Sequence, residues 1–141
     1  MLAQIVNETK DAVLAVIQGA DDVLSVLRGA VKNQITGVVK DASSMAVTGA
    51  EALSDVVTGS VEAAAETGTD IGKAAVSVVE EAIDSASSVG VSTADATSAA
   101  VVGAVRAAKK IGVEAVSAVK AALSNVASVP REVLESAIKG E

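Results

Sequence analysis

Counting by eleven from Asn7 meets no apolar side chain. The series runs Asn7, Gln18, Gly29, Lys40, Glu51, Glu62, Lys73, Asp84, Asp95, Arg106, Ser117, Ser128, Lys139. Half of the chain is hydrophobic, so such a run arises by chance roughly once in 10,000 trials for a single phase. A second phase, four residues later, is polar at ten of its twelve positions, Asp11, Asp22, Asn33, Ser44, Asp55, Glu66, Ser77, Ser88, Lys110 and Glu132, with Ala99 and Ala121 the exceptions. Residues four apart share one face of an α-helix, so the two phases make a single polar stripe. The complementary phases are apolar or small. One reads Leu2, Val13, Leu24, Ile35, Ala46, Val57, Gly68, Val79, Gly90, Val101, Gly112, Leu123, Leu134; another holds Val6, Ile17, Val39, Val61, Ile83, Val105, Val116 and Ile138.

Eleven residues in three turns is about 3.67 per turn, close to an α-helix and far from the period of two that a strand requires. Loops of arbitrary length would reset the phase, so it is kept either by very long helices or by turns that consume whole repeats. The pattern predicts an all-α fold of long amphipathic helices in one domain, a hairpin or bundle that turns near Gly90. Residues 87–93, Ser-Ser-Val-Gly-Val-Ser-Thr, are poor helix formers, and Ser92 or Thr93 suits the N-cap of a run from Ala94. The expected arms are 1–88, with a second candidate break at 67–72 around Thr67-Gly68-Thr69-Asp70, and 94–128. Pro130 ends the second arm and leaves a short tail helix over 131–139.

The apolar half consists of 29 Ala, 26 Val, 7 Leu, 7 Ile and 2 Met, with no Phe, Tyr or Trp. A core of such small side chains needs backbones that approach closely. Ridges with a four-residue step point to where: Ser60, Ala64, Gly68, Gly72 on one segment and Ala96, Ala100, Ala104, Ala108, Gly112 on another. Such ridges let two helices interdigitate at the low end of the usual 8–10 Å spacing. Glycine sits in these rows at about 1 kcal/mol each relative to alanine, which suits contact better than helix propensity.

Charge adds an orientation. Residues 41–90 hold nine acids and only Lys73, whereas 91–141 hold five acids and six bases. A reversal near residue 91 would lay the acidic segment antiparallel to Arg106, Lys109, Lys110 and Lys120, with Glu62 near Lys120 and Asp70 near Lys110. Exposed pairs of this kind choose orientation more than they stabilise.

The residue types also limit the chemistry. Without His or Cys the usual zinc, haem, thiol and serine-triad sites have no ligands or bases. No glycine-rich phosphate loop occurs, since Gly68 and Gly72 lack the Lys-Ser/Thr ending. The expectation is a protein that is not an enzyme and uses no cofactor or metal. A net charge of −7, with no basic stripe and no aromatic to stack on a base, points away from nucleic acid and from anionic membrane. Residues 1–18 carry Glu8, Lys10 and Asp11 and no cleavage motif, and no run of about 18 apolar residues occurs, so a cytoplasmic protein without a transmembrane segment is expected.

The Val-Thr-Gly-Ala grammar of Ile35-Thr36-Gly37-Val38, Val47-Thr48-Gly49-Ala50 and Val57-Thr58-Gly59-Ser60 resembles the repeats of perilipin and synuclein proteins. Those families coat lipid droplets or vesicles with long amphipathic helices, and bacterial phasins do similar work on polyester granules. Right-handed eleven-residue coiled coils and desiccation-related proteins share the period. The resemblance implies a coat on a neutral lipid or polyester surface. The residues themselves, with alanine along the centre of the apolar face, point first to a structural protein that associates with itself as a bundle, oligomer or fibre.

Overall fold

The computed structural model describes residues 3–42 and 47–140; Leu2, Ser44 and Ala46 of the phases above lie outside them. Among the described residues the chain is all-α, with seven α-helices and no strand. They are α1 (Ala3–Ile17), α2 (Val23–Gln34), α3 (Gly49–Glu66), α4 (Ile71–Ala86), α5 (Thr93–Ile111), α6 (Val113–Leu123) and α7 (Arg131–Gly140). A π-helical turn, Ile35–Val39, extends α2, and a 3-10 turn, Ser87–Val89, follows α4. Where the sequence pattern suggests long arms, no described helix exceeds 19 residues. The 1–88 arm is divided into four helices and the 94–128 arm into two.

Each break has a local cause. Helix starts carry side-chain caps that accept orphan backbone N–H groups: Asp22 from Ser25, Asp70 from Lys73 and Ser92 from Asp95. Thr48 and Glu51 cap α3 reciprocally, the Thr48 hydroxyl accepting from the Glu51 N–H and the Glu51 carboxylate from the Thr48 N–H. At the reversal near residue 90, Gly90 takes φ 81°. The Gly90 and Val91 N–H groups then bond back to the Ser87 and Ala86 carbonyls, satisfying the end of the helix. Gly112 is sharper still, with φ 151° and ψ 173°, a region left almost wholly to glycine. It separates α5 from α6 in one residue. Pro130 precedes α7, where its carbonyl accepts from Val133 and Leu134.

The helices stack in two layers. Thr9 and Lys10 of α1 lie against Gly59 of α3, and Lys10 reaches Glu62 and Glu66 further along it. Ser54 and Val57 of α3 lie against Gly103 of α5, and Glu62 against Lys110. Contacts advance together on both helices, so α1, α3 and α5 run parallel in one layer. In the second layer Arg28 of α2 pairs with Glu80 of α4, and Gly72 of α4 meets Ala118 and Ala122 of α6. The contacts between stacked partners span 45, 48 or 52 residues of sequence. Each helix of the first layer is followed by one of the second, and α7 packs on α5 as the start of a further step. The architecture is a short helical-repeat stack in which each step contacts its neighbours.

The core follows the stack. Helix α3, sandwiched between α1 and α5, has twelve of its eighteen residues buried. Leu53, Val56, Val57 and Val61 are fully enclosed, each contributing roughly 1.5–3 kcal/mol of burial. The outermost helix α1 buries one stripe, Ile5, Val6, Thr9, Val13 and Ile17, and turns Gln4, Asn7, Glu8 and Asp11 outward.

Candidate interaction surface

The ridge positions separate into two groups. Ser60, Ala64 and Gly72 are buried, as are Ala96, Ala100, Ala104 and Ala108. Gly68 is exposed with nothing within 4 Å of a Cβ built on it, and Gly112 is half-buried; both sit between helices. The two ridges therefore do not lie along each other as a pair. Gly72 instead fits against α6, where a Cβ would stand 3.2 Å from Ala122 Cβ and 3.3 Å from the Ala118 carbonyl oxygen.

The closest approaches fall on glycines outside those ridges. A Cβ at Gly59 would lie 2.5 Å from the Val6 carbonyl oxygen, and one at Gly103 would lie 2.5 Å from that of Ser54. These obstacles are backbone and cannot rotate away. Around the second contact the buried Thr58 hydroxyl donates to the carbonyls of Ser54 and Gly103, at 2.9 and 3.1 Å. The sequence does hold a signal for the pair: Gly103 stands 44 residues after Gly59, four steps of eleven.

Charged residues form a ladder across the first layer. Glu62 lies 4.0 Å from Lys10 Nζ and 3.1 Å from Lys110 Nζ, and Lys10 also meets Glu66. The Glu66 carboxylate, with Glu62 adding to it, holds the Lys10 ammonium above its ordinary value against the opposing effect of burial. The antiparallel pairing of Glu62 with Lys120 and Asp70 with Lys110 does not occur. Helix α4 intervenes between α3 and α5, so these two run parallel and Glu62 reaches Lys110. Asp70 caps α4, Lys109 donates to the Ile138 carbonyl at 3.0 Å, and Lys120 is exposed beside Arg131 on the wall of a cleft between α6 and α7.

Arg106 sits on a groove of about 310 Å³ between the first halves of α3 and α5. Its guanidinium donates to the Ser54 hydroxyl at 3.3 Å and lies 3.9 Å from the fully buried Asp55 carboxylate. Glu51, Asp95 and Ser98 complete the polar wall. Among the described residues no three carboxylates are placed to hold a metal ion, and no helix is long and apolar enough to cross a membrane. The arrangement orders charge and hydrogen bonds along helix contacts. In comparisons with known proteins, the chain matches no family model, no curated protein and no solved structure.

Proposed function

We propose that the protein is a non-catalytic structural protein whose small-residue helix faces associate with one another, and that it works as a folded helical stack. The observation that carries this reading is the backbone approach at Gly59 and Gly103. An amphipathic film on oil has no use for glycine at a helix contact, because large side chains gain more there. The polar stripe supports the same reading: Glu62 and Lys110 of that stripe pair with each other and, with Lys10 beside the stripe, bind α1, α3 and α5 together.

Circular dichroism with analytical sedimentation, in plain buffer and again with a neutral-lipid emulsion, tests the proposal. Strong helicity and a defined species without lipid are expected. A disordered chain that becomes helical only on the emulsion would overturn it and favour a phasin-like or perilipin-like coat on a neutral lipid or polyester body. Volume added to the core separates the two readings again. Ala64 and Ala108 are fully buried, so Ala64→Leu or Ala108→Leu should destabilise by about 1–3 kcal/mol through overpacking. A coat protein would bind oil more tightly after either change.

A further inference from the structure

Sliding α5 by one turn along α3 would change little of what the two helices offer each other. The rows Ala96, Ala100, Ala104, Ala108 and Ala99, Gly103, Ala107 repeat every four residues, so a slide of about 5.4 Å sets alanine largely where alanine stood. When residue 107 comes level with Ser54, the hydrogen bonds survive as well. The Thr58 hydroxyl, which donates to the Gly103 carbonyl at 3.1 Å, would meet the carbonyl of residue 107 in its place. Lys110 would take the position from which Arg106 faces the Ser54 hydroxyl and the buried Asp55 carboxylate. The slide gives up the pairing of the exposed Lys110 with Glu62, which is worth little. One methyl group separates the two positions. A Cβ at Gly103 would stand 2.5 Å from the Ser54 carbonyl oxygen and 3.0 Å from Val57 Cβ, and the slide carries the Cβ of Ala107 to that spot.

We propose that Gly103 is the pin that sets the register of α3 on α5, and that a second seat one turn away is closed by the methyl group of Ala107. The pin rests on the folded stack proposed above and names the residue that chooses among its packings. The opposite slide is closed twice, because it sets Ala99 at the Ser54 carbonyl and Val102 where Arg106 faces Asp55. Gly59 repeats the device on the other side of α3: a Cβ there would stand 2.5 Å from the Val6 carbonyl oxygen, and Asp55 and Ala63 lie one turn away in its row. A chain of repeating small residues has many nearly equivalent packings, and a glycine where two backbones touch excludes the alternatives by volume. Packed helices that differ by one turn are discrete positions, so α5 occupies one seat or the other and nothing between.

Moving the glycine by one turn, in the full chain, tests this. Gly103→Ala should lower the urea midpoint, and adding Ala107→Gly should recover most of that loss. Adding Ala104→Gly instead, outside the row, should recover none. Where Gly103→Ala alone fails to fold, return of helicity in the double variant is the readout. Spin labels at Ala50 and Ile111, diluted with unlabelled protein, report the position of α5. Ser98 shares a groove with Ala50, and Ile111 lies about 20 Å further along the helix. The separation should therefore shorten by about 5 Å in Gly103→Ala/Ala107→Gly relative to the wild type. A double variant no more stable than Gly103→Ala, beside a helical wild type, would overturn the pin and leave the proposed function standing. Recovery with an unchanged separation would do the same, since stability would have returned without a slide. A wild-type chain unfolded without lipid would overturn the proposed function and the pin together.

Discussion

Gly59 and Gly29 are both helical glycines, yet alanine should move them in opposite directions. At Gly59, and equally at Gly103, the added methyl would meet a carbonyl oxygen at 2.5 Å, so the helices must part. Gly59→Ala and Gly103→Ala should each destabilise the protein by about 1–3 kcal/mol or more. Gly29 is exposed in α2 with nothing within 4 Å, so Gly29→Ala should stabilise by about 0.5–1 kcal/mol through helix propensity. Urea denaturation of the three variants checks the contrast, and three shifts of one sign would contradict it. Ser60 offers a second test at this scale. Its hydroxyl is fully buried and meets no hydrogen-bond partner among the described residues. Ser60→Ala removes an unsatisfied polar group while keeping the small volume that α3 needs, and should raise stability by about 1 kcal/mol in the same assay. In the sequence these glycines look alike, as small residues inside helical patterns. What separates them is which neighbour lies opposite, and that is set by stacking partners far along the chain, Val6 for Gly59 and Ser54 for Gly103. Burial of the small ridges was legible from their spacing; Gly68, with the same spacing, instead makes the turn at the candidate break over 67–72.

The helices themselves were legible as a class because the polar stripe has one period from end to end. Their lengths were not, and the reason lies in where the turns fall. Gly68, Gly90 and Gly112, all with positive φ, stand at intervals of 22 residues, two steps of eleven. Helices α4 and α5, each with its turn, therefore use whole repeats, and the stripe passes through these breaks without a shift; Gly19, also at positive φ, falls outside the series. Gly90 was recognisable because poor helix formers surround it; Gly112, between Ile111 and Val113, has no such company. Capping is the force that fixes these short elements, and it carries a pH signature at Thr48 and Glu51. Hydrogen bonds from Thr48, the backbone N–H foremost, hold the Glu51 carboxyl below its ordinary value. A carboxyl depressed by folding contributes stability that is present above its unfolded value, about 4.3, and is lost as pH falls through the folded value. The denaturation midpoint of the wild type should therefore drop more steeply below about pH 4.3 than that of Glu51→Gln, whose amide can still accept the bond without titrating. Parallel profiles for the two proteins would show that the box adds nothing. Thr48→Ala, which removes the other half, should cost about 1 kcal/mol near neutral pH.

At the scale of the whole molecule the decisive difference is between a two-arm hairpin and a stack of short helices, because each gives the same sequence pattern and the opposite direction for α3 relative to α5. A hairpin turning near residue 90 makes every contact across it antiparallel, and charge alone favours that arrangement: an acidic segment meets a basic one. The stack satisfies the same charges differently. Interposing α4 lets α3 and α5 run parallel, so that Lys10, Glu62 and Lys110 fall in one row and three helices share two ion-pair contacts. It also gives α3 neighbours on both sides, which a broad apolar face requires and a single hairpin does not provide. A pair of spin labels at Ala50 and Ser98 tells the two apart. These residues line the same groove between α3 and α5, so neighbouring helices at 8–10 Å plus the label linkers should give a separation within about 20 Å. In an unbroken hairpin, residue 98 would lie opposite residue 84, and residue 50 would be about 50 Å further along the arm at 1.5 Å per residue. Dilution with unlabelled protein keeps contacts between copies out of the measurement. A distance near the longer value would refute the parallel stack.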